Sequence, residues 1–178
     1  MIFPRIYAFL IITIFIVAVN SAYAQITVTD SSNSFKVSFP SNWLMNQPSN
    51  NVHAPKLFLR RLSETSPATI TFKVANFTGD KTSVMNAWSS DEGNQRWIDG
   101  IKKKFNNAVL VKNSSTMLGG WRADLKIARY TLENLDSRLD ITAITIFSIR
   151  KNKVVVVTME SMTASFDSIY KEFEVIMA

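Results

Sequence analysis

Residues 140–150 read DITAITIFSIR. Successive side chains of an extended strand point to opposite faces, so odd and even positions must be read separately. Ile141, Ala143, Phe147 and Ile149 fall on one face, and Ile144 and Ile146 on the other. The run VVVV at 154–157 is apolar on both faces as well. A strand with two apolar faces needs cover on both sides. The stretch therefore predicts a sheet with helices, or helix and loop, on each face.

Outward from this stretch the chain reads as a meander. Strands are predicted at Ala108 to Leu118, Trp121 to Glu133, Asp140 to Arg150 and Lys153 to Glu160. The connections GG, NLDS and KN are short enough for hairpins. Upstream, Ile26 to Thr29 and Phe35 to Phe39 alternate apolar and polar around the turn chemistry of DSSNS. Lys56 to Leu62 and Thr69 to Phe77 are the next strands. Phe35, Val37 and Phe39 form an inward row that Pro40 ends, because proline cannot donate a ladder hydrogen bond. Trp43 follows three residues later and is expected to fold back as a structural plug. The other reading makes it a binding platform beside the polar loop NQPSNNVHAP at 46–55.

Three segments have helical spacing. Val84, Met85 and Trp88 share a face of a short helix from about Thr82. Ser89 with Glu92 has capping-box spacing and opens a second helix to about Phe105, striped by Trp97, Ile98, Ile101 and Phe105. From about Ser165, Phe166, Ile169, Tyr170, Phe173 and Ile176 or Met177 follow the same periodicity. Asp167 sits in the first turn, where the helix dipole favours it. The fold class is α+β: one domain over 25–178, with an antiparallel sheet between helices in α/β/α order.

The first 24 residues read as a leader. Arg5 supplies the positive start, Ile6 to Val19 an uncharged apolar run, and Ala22 and Ala24 the small residues before a cut at Gln25. At 1.5 Å per residue that run spans roughly 21 Å of a roughly 30 Å hydrocarbon core, short for a crossing. An uncleaved anchor is the alternative. Removing the leader leaves 19 basic and 14 acidic residues, a net +5 that suits an anionic surface or a solvated exterior equally. The expected location is the periplasm, and nucleic acid is not an expected partner. With no cysteine, the chain has no disulfide, thiol nucleophile, thiolate metal site or lipoprotein anchor.

The stretch FKVSFPSNW at 35–43, the central helical insert, GGW at 119–121, the long meander and the closing SFDSIYKEFEVIM together resemble the PsbP-like families. These include lumenal oxygen-evolving-complex proteins and exported bacterial DcrB-like proteins. The resemblance spans most of 26–177 and lies in hydrophobic pattern and turn positions, not in a catalytic motif. It implies the α/β/α layering and an accessory or partner-binding role, and it transfers no functional residue.

Few residues carry chemistry of their own. His53, the single histidine, lies in the polar loop with no neighbouring Asp or Glu, and a solvated histidine is the plain reading. IKKKF at 101–105 places Lys103 outward with Arg96, while Asp99 can pair with Lys103 at i, i+4. A solvated face explains this, and docking on an acidic partner or anionic membrane is the alternative. The binding candidates are thus Trp43, His53, Arg96 and Lys103, with no catalytic residue, metal or cofactor. The expected protein is a monomeric, non-catalytic accessory or binding protein of the envelope. Its partner would be an envelope protein, a membrane complex or a small apolar ligand. A hydrolase using carboxylates near the 46–55 loop is the alternative, as is a domain tethered by its uncleaved leader.

Overall fold

The computed structural model describes residues 25–31, 35–46, 57–134 and 137–178. The leader and His53 lie outside these residues. Strands β1 (Gln25–Asp30) and β2 (Phe35–Pro40) pair as an antiparallel hairpin. β3 (Trp43–Asn46), β4 (Leu57–Arg61) and β5 (Ala68–Asn76) follow, then helices α1 (Lys81–Ser89) and α2 (Asp91–Lys102). β6 (Asn106–Leu118), β7 (Trp121–Asn134), β8 (Ser137–Arg150) and β9 (Lys153–Met162) precede a 3-10 turn and the last helix, α3 (Phe166–Met177). The described residues are mostly antiparallel sheet with three helices, an α+β structure.

Seven strands form one sheet in the order β3-β4-β5-β9-β8-β7-β6. The meander β6 to β9 turns at Gly119 and Gly120, both at positive φ, and at Lys151, which holds φ +49 without being glycine. β8 is hydrogen-bonded on both sides, and Ile141 through Ile149 are all buried. Its side chains divide with period two. Ile141 and Ala143 pack with Ile98, Ala108, Ala128 and Tyr130, against which Trp97, Ile101 and Phe105 lean. Phe147 and Ile149 pack with Met85 of α1. Ile144 and Ile146 join Trp43, Ile70, Val157, Ile169 and Phe173 in the largest apolar cluster. That cluster also takes in Val37 and Phe39, with Phe35 packed against it, so the expected inward row of β2 is present.

Several local expectations shift by a residue or gain an element. The second helix is capped by Ser90, whose Oγ accepts from the Gly93 amide, and not by Ser89. Ser89 ends α1 and turns its hydroxyl to Asp124 at 2.6 Å. Asp99 meets Lys102 at 3.9 Å and the Gln95 amide at 2.7 Å, in place of Lys103. Trp43 begins a short strand not predicted from the sequence, because Pro40 and Ser41-Asn42 interrupt the alternation. On the opposite margin of the sheet, β6 carries register shifts between Asn106 and Val109 and between Leu110 and Lys112. Asn107 lies inside the first of them at φ +53.

Candidate functional site

The clearest recess has a volume of about 230 Å³. It lies where β2, the sheet, two hairpin turns and the end of α3 converge. Its floor follows from strand periodicity: Phe72 faces Val157 and Val74 faces Val155 across the β5–β9 ladder, giving two adjacent apolar rungs. Phe35 from the hairpin stacks on Phe72 with ring centres 6.3 Å apart and planes within 8°. Leu118, Ile176 and Met177 extend the apolar wall, and Ala178 lines it too. The Gly119 amide points to the Met177 carbonyl at 3.4 Å, tying the β6–β7 turn to the end of α3.

The rim is cationic. Lys36, Arg150, Lys151 and Lys153 line the cleft, and no Asp or Glu side chain does. Among the described residues none of the four is ion-paired. Arg150 lies over the half-exposed Trp121 ring at 5.0 Å, and Lys81 approaches the same ring at 5.8 Å. Lys153 donates to Asn76 Oδ1 at 2.7 Å. Such a place can hold an apolar group inside and a negative group at its mouth.

Three of the sequence-derived candidates, Trp43, Arg96 and Lys103, lie elsewhere. Trp43 is completely buried, and its indole N–H donates to Glu172 at 2.9 Å. Glu172 also accepts from Arg61 at 2.8 Å and from Asn42 at 3.4 Å. The ring of Trp43 therefore has no exposed face. Arg96 is exposed on α2 and Lys103 at its C-cap, with Arg96 3.7 Å from Glu92, and neither lines the cleft. The KN connection was legible only as a hairpin turn, and its basic neighbours were not singled out. Their meeting with Lys36 was not legible, because it depends on where the β1–β2 hairpin returns.

A second constellation lies between β7 and the helices. Lys126 is fully buried, its ammonium donating to the Trp88 carbonyl at 2.7 Å and lying 4.1 Å from the Trp88 ring. Trp88 is the penultimate residue of α1, so the contact satisfies a terminal carbonyl that the helix cannot. Asp124, also buried, accepts from Ser89. Burial pushes the Lys126 amine down to about 8, although the Asp124 carboxylate opposes this. The unfolded chain then binds more protons than the folded one above pH 8, so Lys126 makes stability rise with pH there. Wild type should gain about 1–2 kcal/mol over Lys126→Met between pH 7.5 and 9.5, read by urea unfolding. Parallel stability curves for the two proteins would refute this.

A broader groove of about 740 Å³ lies near Arg60, Leu139 and Met162. There Tyr130 donates to Glu160 at 2.6 Å, and burial with that hydrogen bond pushes the phenol well above its usual range. This pair is locked to itself, which leaves the cationic cleft as the better candidate.

Neither a family model nor a curated protein matches the chain. Solved structures do. PsbP of the cyanobacterium Synechocystis sp. PCC 6803 (CyanoP) superposes with a TM-score of 0.62 at 11% identity, covering 86% of this chain and 89% of that one. LpqN of Mycobacterium tuberculosis, described as involved in cell envelope biogenesis, gives 0.53 at 15% identity, covering 86% and 87%. At these identities the likeness concerns the fold. The described residues contain no helix long and apolar enough to cross a membrane. The resemblance read from hydrophobic pattern and turns is thus met in three dimensions, and the chain has a PsbP-like fold.

Proposed function

We propose that this is an exported, non-catalytic accessory protein of the cell envelope that works by binding a small ligand in the cationic cleft. In this reading the leader is cleaved after Ala24, and the remaining chain is one α/β/α-layered domain in the periplasm. The layering is supported by the way β8 sends alternate side chains toward α1 and α2 or toward the cluster containing α3. Export is supported by the leader's sequence and by the envelope role printed for LpqN. The observation that carries the binding role is the cleft itself: an apolar floor of strand side chains beneath four basic ones.

A neutral apolar fluorophore, N-phenyl-1-naphthylamine, tests the floor. Binding to the wild-type protein is expected, with at least tenfold weaker affinity for Val74→Trp, whose indole fills the cleft. Equal binding by a folded Val74→Trp variant would remove the cleft as the site.

A further inference from the structure

We infer that the ligand of the cleft is a single-chain amphiphile with an anionic head, of the medium-chain carboxylate class. This rests on the cleft reading above and adds the chemistry of its occupant.

The floor selects the tail. Val74, Val155, Phe72 and Phe35 present no hydrogen-bonding side chain, so a sugar or nucleotide placed there would give up water contacts without replacement. A hydrocarbon chain loses nothing and removes apolar surface from water. At about 230 Å³ the space falls below the roughly 300–1,000 Å³ typical of pockets for drug-sized ligands, which favours one slim chain over a two-chain lipid.

The mouth selects the head. All four ionisable side chains lining the cleft are basic, so a carboxylate there meets a net positive charge even with an α-carboxylate at Ala178. Arg150 is the best placed. Its guanidinium is steadied over Trp121 at 5.0 Å, so less freedom is lost when its fork engages a carboxylate. Lys36 approaches from the hairpin and is exposed, so the head can be held from two sides. Trp121 already carries Arg150 and Lys81, which makes it a support for cations and not a free platform for a base.

Delipidated full-length protein, as exported, is titrated calorimetrically with octanoate, decanoate and dodecanoate, and with dodecanol, below micellar concentrations. Affinity is expected to rise about fourfold per added methylene. Dodecanol should bind at least tenfold more weakly than dodecanoate. Arg150→Gln and, separately, Lys36→Gln should shrink that carboxylate preference. Using both variants keeps the result readable if one fails to fold. Equal affinity for dodecanoate and dodecanol, with the neutral fluorophore still bound, would overturn the anionic head and spare the cleft reading. Loss of fluorophore binding as well would overturn both. Phosphatidylglycerol vesicles form the last arm: binding to them that dodecanoate does not displace, without uptake of free dodecanoate, would assign the basic rim to a membrane surface and overturn the inference.

Discussion

Trp43→Ala should lower the free energy of unfolding by about 3–5 kcal/mol, the range for deleting a large aromatic side chain from a packed core. The indole is fully buried in the largest apolar cluster, and its N–H holds Glu172 of α3. Truncation opens a cavity and at the same time withdraws a donor from that carboxylate. Trp43→Phe helps separate the two effects, since it retains much of the ring volume while removing the donor. Its cost should be nearer 1–2 kcal/mol. Burial pushes the Glu172 carboxyl up, but hydrogen bonds from Arg61 and Trp43 outweigh it and hold the group below its ordinary value. Its contribution is therefore present above the usual carboxylate range and lost as pH falls through the depressed value. The gap between wild type and Trp43→Phe should accordingly narrow in acid. Urea unfolding across pH 3 to 7 measures it, and an alanine variant as stable as wild type would remove Trp43 from the structural core.

Gly93→Ala should be nearly as severe. A Cβ at Gly93 would lie 2.1 Å from the Ala87 carbonyl oxygen and 2.5 Å from that of Trp88. Those are backbone atoms of α1, which cannot swing aside as a side chain would. Relief requires α1 and α2 to part, at a cost of about 3 kcal/mol. The same movement would disturb the Trp88 carbonyl that receives Lys126. Gly100→Ala is the matched control, because a Cβ there meets nothing within 4 Å. It should stabilise α2 by about 0.5–1 kcal/mol. Thermal unfolding of both variants reads the contrast, and a Gly93→Ala protein that melts with wild type would contradict the close approach of the helices.

The sequence was most informative where chemistry and periodicity agreed. DITAITIFSIR is apolar on both faces, and both faces are buried. The stripe Phe166, Ile169, Tyr170, Phe173 marked α3 because four-residue spacing has no other economical use. Legibility failed where tertiary packing overrides local rules. Lys126 and Asp124 carry the side chains of a solvated face, yet α1 covers them. The spacing of Ser89 to Glu92 pointed to Ser89 as the cap of α2, and only backbone geometry selects Ser90. The cleft was the least accessible feature. Its parts come from residues 35 to 37, 72 to 74, 118 to 121, 150 to 157 and the end of α3, and no short window contains them.

The irregular pairing of β6 has a consequence for the molecule's behaviour in a crowded compartment. As the outermost strand it would ordinarily present a straight row of free amides and carbonyls, with Val109 and Val111 exposed beside them. Such a row invites another chain to add itself as the next strand. The two register shifts, with Asn107 in left-handed geometry, bend the strand and increase its twist. Lys112 sets a charge on the same margin. A protein without disulfides, held by packing alone, thereby keeps a long outer strand without turning it into a seed for fibrous self-association.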